Sequence, residues 1–444
     1  MAINASKFNS HWNDKKLSDL GTFKRGKSKH RPRNDPKLFT NGEHPLVQTG
    51  EIKEANLYIN KHSANYSEFG LKQSQLWPQN TLCITIAANI AETSILAYPM
   101  CFPDSVVGFN AYPDETSELF MHYVFTFIRK TIQNSASGSI QDNINIDYLT
   151  SLNFKVPSKE YQDKLAEVLA NLDKKIEVNN RINTELEAMA KTLYDYWFVQ
   201  FDFPDANGKP YKTSGGKMVY NATLKREIPE GWLVVPLSEW IVNDKTGDWG
   251  KDQLEGNYTL KVNCIRGADI NGLIGQGLLQ APTRYILEKN KSKLLSPFDF
   301  IIEISGGSPT QSTGRMAYIT NESLNRFSNP LIYSNFCKVI SLKDERYFFN
   351  FAYLWDSIYS AGILFGWEGK TSGIKNLLFD AFVNKHFICT PPVNLVNNYY
   401  EFVSPLNSEK QKNLKQNSEL VSLRDWLLPM LMNGQVTVVN KDDI

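Results

Sequence analysis

From Ser158 to Phe201 the chain contains neither glycine nor proline, and its apolar positions run Leu165, Val168, Leu172, Ile182, Leu186, Met189, Leu193 and Tyr196. Intervals of three and four over most of that run describe the seam of a coiled coil. Some 40 residues of helix at 1.5 Å each would span roughly 60 Å, too long for an ordinary globular helix. The seam has two irregularities. Asn179 stands where the heptad asks for an apolar residue, and Lys175 leaves its place to Ile176. Moving every seam position on by 234 residues gives Tyr399, Phe402, Leu406, Gln416, Leu420, Leu423, Leu427 and Met430, and moves Asn179 onto Asn413. Asn183-Thr184-Glu185-Leu186 falls on Asn417-Ser418-Glu419-Leu420 at the same offset. A shared heptad is common, but the same misplaced asparagine beside a matching tetrapeptide identifies an internal duplication.

The totals narrow the class. A chain of 444 residues has room for two or three domains that each bury a core. It is 42% hydrophobic and 21% charged with a formal charge of +1, which excludes a protein that coats nucleic acid by charge alone. Cys83, Cys101, Cys264, Cys337 and Cys389 include no close pair, so neither a zinc knuckle nor a disulfide framework is indicated. They read as buried small hydrophobes in a reducing cytoplasm. The opening Met1-Ala2-Ile3-Asn4 has no basic-then-apolar leader, and the most apolar window, Leu119 to Ile128, is too short to span a bilayer. The expectation is a soluble, cytoplasmic protein.

Taken in order, residues 1–157 form a first globular unit with short β-like runs at Pro45–Val47, Leu82–Ile86, Ser94–Leu96, Val106–Val107 and Asn153–Val156, and a helical segment from Glu118 to Gln133. Ser158 is placed to cap the long helix of residues 158–202. The aromatic cluster Tyr194, Trp197, Phe198, Phe201 and Phe203 reads as a plug packing the helix end onto a neighbouring domain. Residues 203–231, polar and rich in glycine and proline, read as a connector. The second unit, 232–391, repeats the element order of the first, and Leu17-Ser18-Asp19-Leu20 is echoed by Leu237-Ser238-Glu239-Trp240. Its loops differ, as expected of one task performed on two targets. The second long helix occupies 392–434, with Pro429 placed to kink or end it and Gly434 to cap it, before a tail at 435–444.

No motif in the sequence completes a catalytic site. Gly369-Lys370-Thr371 lacks the earlier glycine of a phosphate loop, since position 364 is leucine. Thr390-Pro391-Pro392-Val393 has the outline of the tetrapeptide with which amino-methyltransferases hold a flipped base, yet threonine and valine supply neither its acceptor nor its stacking ring. Asp35 with Glu51-Ile52-Lys53 forms a nuclease-like pattern only if a proline-rich loop replaces the strand such a site needs. The six histidines show no metal-ligand spacing, and no serine or cysteine sits in a nucleophile elbow.

One stretch does point to a ligand. Lys24, Arg25, Lys27, Lys29, His30, Arg31, Arg33 and Lys37 crowd one loop against a single acid, Asp35. A charge run is often only solvated surface; in a duplicated, two-lobed chain it reads as a loop that grips phosphates. Candidates in the second unit are spread out: Lys245, Lys251, Arg266, Arg284, Lys291, Lys293, Arg315, Lys370 and Lys375.

Leu172-Asp173-Lys174-Lys175-Ile176 through Asn183, then Trp197-Phe198-Val199-Gln200-Phe201-Asp202-Phe203, Ser214-Gly215-Gly216-Lys217-Met218-Val219-Tyr220 and Glu227-Ile228-Pro229-Glu230-Gly231-Trp232, together resemble the specificity subunits of prokaryotic type I restriction-modification systems. The resemblance covers nearly the whole chain. It implies an α+β protein: two similar mixed α/β target-recognition domains, each reading half of a split DNA site, with two long antiparallel helices between them as a spacer. It also implies two modification subunits that bind S-adenosylmethionine, and restriction subunits that use ATP and magnesium, so that this chain needs no cofactor and performs no catalysis itself. Base-reading residues lie in the variable part of such proteins and do not carry over by motif. A duplicated coiled-coil adaptor that binds proteins or glycans is the rival reading, and the salt dependence of duplex binding separates the two. If the helices pack about a pseudo-two-fold axis, Asn179 and Asn413 are expected to meet and bond across the seam.

A spacer of this kind would act as a ruler. Duplicating Asn183-Thr184-Glu185-Leu186 adds about 6 Å of helix, one to two base pairs at roughly 3.4 Å each, as a four-residue stutter that nearly preserves the seam. The expected methylation pattern keeps both half-sites and widens the gap by one or two base pairs; an active variant with the original gap would show that the helices do not set it.

Overall fold

The first strand of each repeat closes on its last. Asn13–Lys16 pairs antiparallel with Asn153–Val156, and Leu233–Pro236 pairs antiparallel with Phe387–Thr390. Beside each clasp the same extra bond recurs: Leu17 donates its N–H to the Leu152 carbonyl (3.0 Å), and Leu237 donates to that of His386 (2.9 Å). The computed structural model describes residues 2–137, 144–306, 308, 310–371 and 374–439. They form two units, Met1–Asn179 with Gln416–Ile444, and Asn180–Lys415. The division falls within both long helices rather than at their ends.

Both units use one strand order. In the first the order is Gly21–Arg25, Val106–Ala111, Leu82–Thr85, Thr93–Leu96, with Tyr58–Ile59 added in parallel at the edge. In the second it is Ile241–Thr246, Cys337–Leu342, Phe300–Glu303, Met316–Tyr318, again antiparallel throughout. Leu82–Thr85 and Phe300–Glu303 are buried along their whole length, which explains near-continuous apolar runs where a half-exposed strand would alternate. Helices Glu118–Ser137 and Phe348–Ser360 each close over the sheet of their own unit. Burying large side chains such as Phe120 and Phe351 contributes roughly 1.5–3 kcal/mol apiece. Each unit adds a second sheet. In the first its order is Ala64–Tyr66, His44–Leu46, Met100–Cys101, Leu76–Trp77; in the second it is Thr283–Leu287, Tyr258–Ile265, Leu331–Tyr333.

The aromatic cluster after the first long helix belongs to the core of the second unit. Tyr194, Phe198 and Phe201 are buried with Trp232 and Tyr399. Phe203 stacks between Trp232 (5.3 Å) and Tyr211 (4.7 Å), so the connector is folded onto the core, with a hairpin at Met218–Asn221 and Arg226–Pro229. Burial pushes the Cys264 and Cys337 thiols up to about 12, as for small hydrophobes sealed in a core.

The long helices are Lys159–Tyr194 and Val393–Met432. The second runs through Pro429 and stops at Met432, with Gly434 left-handed just beyond it. Within each unit the two helices pair antiparallel. In the first unit Arg424 reaches Asp173 (2.7 Å), and Asn179 donates to Gln416 (2.8 Å) and Asn417 (2.9 Å). In the second, Asn413 donates to Asn183 (3.0 Å), and Lys410 pairs with Glu187.

This pairing corrects the seam. The buried line falls one residue after the apolar one: Ala166, Leu169, Asp173, Ile176, Asn183, Ala190 and Tyr194 on the first helix, Val403, Asn407 and Lys410 on the second. Leu165, Asn179, Tyr399 and Asn413 are buried, and Val168, Leu172, Leu186, Leu193, Leu406, Leu420 and Leu427 are half-buried. Ile182, Met189, Phe402 and Leu423 are exposed. The shift arises because many seam residues are polar and find partners across it, so the apolar stripe is not the innermost one. The repeated asparagines also differ from expectation: each bonds the asparagine that opens the conserved tetrapeptide, Asn417 for Asn179 and Asn183 for Asn413, rather than its own copy.

A double-mutant cycle tests this polar register. Asn413→Leu strands the buried Asn183 carbonyl and should cost about 1–3 kcal/mol in urea denaturation. Adding Asn183→Leu should recover most of that, since Asn183 Nδ2 already lacks a partner. Additive losses would show that the two side chains are not coupled.

Candidate nucleic-acid interface

Strand Gly21–Arg25 ends at a glycine that admits no side chain: a Cβ on Gly26 would lie 2.3 Å from the Pro103 carbonyl oxygen. The chain leaves this contact as the basic loop, and its backbone is tied down repeatedly. Gly26 donates to Val106 (2.8 Å), Ser74 Oγ donates to the Lys27 carbonyl (3.0 Å), the His30 N–H donates to Gln73 (3.1 Å), and Ser67 Oγ donates to the Lys37 carbonyl (2.7 Å). His30 and Asp35 pair at 2.8 Å inside the loop. The Lys37 N–H, then the His30 ring, hold the Asp35 carboxyl below the usual carboxylate range.

Lys24, Arg25, Lys27, Lys29, Arg31, Arg33 and Lys37 are exposed, while His30 is half-buried. Arg33 reaches Asp104 at 2.8 Å and Arg31 reaches it at 3.8 Å, bracing the far side of the loop. Among the described residues Lys24, Arg25, Lys27 and Lys29 have no acidic partner. A pinned backbone that presents free ammonium and guanidinium groups loses little entropy when those groups meet an anion, which suits a row of phosphates.

The second unit repeats the device and changes its chemistry. A Cβ on Gly247 would lie 2.3 Å from the carbonyl oxygens of Tyr333 and Ser334, but the loop that follows carries Asp248, Asp252 and Glu255. Most of the basic candidates here are neutralised. Arg266 is bound through Nε (2.7 Å) and Nη2 (3.1 Å) to the buried Asp269. Burial alone would raise that carboxyl, but Arg266 and the N–H groups of Gln280 and Ala281 hold it down. Arg315 makes two bonds to Glu303 (2.9 and 2.7 Å). Arg284 pairs with Asp252 and lies over Trp249. Lys375 pairs with Glu368 (3.0 Å), and Lys251 sits 3.8 Å from Glu255. Lys293 donates to the Gly247 carbonyl at 3.4 Å, Lys245 is half-buried, and Lys291 is exposed. The Lys370 side chain lies outside the described residues.

The motifs set aside in the sequence perform structural tasks. Glu51 accepts from the N–H of Gln48 (2.6 Å) and of Ser63 (2.7 Å). Thr390 accepts from the Trp240 indole (3.2 Å), and the Pro391 carbonyl accepts from Tyr347 (2.8 Å). Gly369 lies in strand Glu368–Thr371. Gln48, which no sequence motif marks, lines a cavity of about 340 Å³ with Ser28 and Arg33 of the basic loop. The signal for it is a repeat, Gln48-Thr49-Gly50-Glu51-Ile52 against Arg266-Gly267-Ala268-Asp269-Ile270. No helix is long and apolar enough to cross a membrane among the described residues.

Comparison with known proteins agrees with this architecture. Residues 9–188 match a family model described as the type I restriction modification DNA specificity domain. The chain is 25% identical over 446 residues to the type I restriction enzyme MjaIX specificity subunit of Methanocaldococcus jannaschii, across 96% of this chain and 94% of that one. It is 39% identical over 111 residues to the HindI specificity subunit of Haemophilus influenzae, across 25% of this chain and 22% of the relative. The crystal structure of a type I restriction-modification S subunit from M. genitalium superposes with a TM-score of 0.57 at 16% identity, covering 97% of this chain and 99% of the other, a likeness of fold.

If the basic loop touches phosphates, replacing Lys24, Lys27 and Lys29 by alanine should weaken duplex binding equally for all sequences. It should also flatten the plot of log affinity against log salt by up to about 3, at roughly 0.9 per lost contact. Measuring affinity from 50 to 200 mM salt decides the matter, and an unchanged slope would remove the loop from the interface.

Proposed function

We propose that the chain is a specificity subunit of the type I restriction-modification kind, and that each of its two units reads one half of a split DNA site. The observation that carries this reading is one scaffold built twice with unlike loops. The strand order, the clasp and the close-packed glycine recur, while the loop after Gly26 is strongly basic and the loop after Gly247 holds three acids. A binder with two-fold symmetry reads two like half-sites, because each half presents the same surface. Duplication within one chain frees the copies to diverge, and the half-sites with them.

Positioning and reading divide between different groups. The basic loop of the first unit supplies sequence-independent phosphate contacts that set the duplex in place, and base edges are read by polar side chains near it. With a formal charge of only +1, the chain lacks the excess cations that hold a duplex by themselves, so much of the phosphate contact falls to partners. Methyl transfer and cleavage belong to modification and restriction subunits, with S-adenosylmethionine on the former and ATP and magnesium on the latter. Apolar side chains left exposed on the long helices suit the docking of modification subunits: Val178, Leu423 and Trp426 in the first unit, Ile182, Met189 and Phe402 in the second. The chain then acts as the part that selects the site and brings the catalysts to it.

The purified chain alone should neither methylate nor cut DNA and should bind duplexes weakly. Assembled with its modification subunits it should bind a two-part site tightly, with affinity falling steeply as salt rises. Gel-shift titrations and methyl-transfer assays on both preparations check this, and robust methyl transfer by the chain alone would refute it.

A further inference from the structure

The two units leave their second sheet through the same turn and differ there in one side chain. Leu46 pairs with Cys101 in parallel, and Ile265 pairs with Tyr333 in parallel. Shortly after, the N–H of Gln48 is taken by Glu51 (2.6 Å) and that of Arg266 by Asp269 (3.0 Å). The next residue in each case is a buried isoleucine, Ile52 or Ile270. Backbone, capping acid and core anchor are conserved between the copies; the side chain at the turn is not.

Gln48 is exposed, at the head of helix Thr49–Glu54. It lines the cavity shared with Ser28 and Arg33 of the basic loop, whose wall also includes Ala87 and Ala88. That wall is strained. Ala88, Asn89 and Ala91 are left-handed, with φ of 46°, 42° and 63°, and are held there by bonds such as Ala91 to Thr85 (2.8 Å) and Gln133 to Ile90 (2.9 Å). Strain maintained by its surroundings marks a place where shape is put to use. Arg266 is fixed differently. Asp269 grips Nε and Nη2, the exposed Gln280 accepts from Nη2 at 3.0 Å, and Nη1 makes no hydrogen bond among the described residues.

We propose that positions 48 and 266 are the equivalent base-reading positions of the two units, Gln48 taking the N6/N7 edge of an adenine and Arg266 the O6/N7 edge of a guanine in the major groove. The inference rests on the reading of this chain as a DNA-specificity subunit. The chemistry follows from the groups presented. A carboxamide offers a donor and an acceptor side by side, which complements N7 and the N6 amino group of adenine. A guanidinium offers only donors, which complements the two acceptors of guanine. Asp269 sets the guanidinium plane in advance, and the Nη2 hydrogen on Gln280 can be passed to the base. Beside Gln48 the pinned basic loop holds the backbone of the same few base pairs.

The test maps adenine methylation genome-wide in cells carrying the full-length chain with its modification subunits. The unmodified chain gives the two-part motif. Gln48→Ala should relax a single A·T position in one half-site, lowering the preference there by roughly ten- to a hundredfold, and leave the other half-site intact. Gln48→Arg should turn that position to G·C. Arg266→Gln keeps a donor for Asp269 and should turn one G·C position of the other half-site to A·T. Unchanged motifs in these variants overturn the proposal. So does an even loss at every position, scored for a variant without methylation by titrating its purified complex with duplexes substituted base by base. An unmodified chain that yields no sequence-defined motif would instead overturn the DNA reading itself, so the two failures are distinguishable.

Discussion

Closure of each repeat by its own ends is the constraint on which the remaining geometry rests. Pairing Asn13–Lys16 with Asn153–Val156, and Leu233–Pro236 with Phe387–Thr390, brings together segments well over a hundred residues apart. A ladder of backbone hydrogen bonds tolerates no intermediate position, because a slip of one residue would turn every side chain to the opposite face. With the clasp set, Leu17 and Leu237 are buried at its edge, and the strands ending at Gly26 and Gly247 start from fixed points. The long helices emerge directly from the closing strands. Loops, glycines and helices therefore share one frame in each unit, and the loops can diverge without disturbing it.

The helices show a second constraint, polar where apolar is usual. Asp173 with Arg424 and Asn179 with Asn417 in the first unit, and Glu187 with Lys410 and Asn183 with Asn413 in the second, place paired polar groups inside the seam. An apolar seam tolerates sliding by a turn; a donor that must find its acceptor does not. Four residues of the apolar stripe one position earlier, Ile182, Met189, Phe402 and Leu423, are thereby left exposed.

Unpaired basic groups are distributed unevenly between the two units. In the first unit Lys24, Arg25, Lys27 and Lys29 have no acidic partner among the described residues, whereas the second unit pairs Arg266, Arg284 and Arg315 with Asp269, Asp252 and Glu303. Replacing Arg315 would therefore strike the fold before it touched any ligand, since it leaves the buried Glu303 carboxylate without its partner. The sequence could not separate these roles. Lys27 and Arg315 are both cations in the sequence, and only the presence of Glu303 against one of them distinguishes an exposed basic group from a structural one.

The duplication, the two long helices, the repeated strand order and the basic loop were legible in the chain alone, because each is a local pattern or an echo at fixed offset. The phase of the helix seam was not. Hydrophobic periodicity follows Ile182 and Met189, while burial is decided by Asn183 and Ala190, whose fit depends on which residues the opposite helix presents. Gln48 was equally invisible, since a single glutamine after a strand carries no signal until the fold sets it beside Arg33 and matches its turn to that of Arg266. Local periodicity and repeated words determine which elements form. Which polar groups are paired, and which are left to meet a ligand, is decided by contacts between residues that the sequence keeps apart.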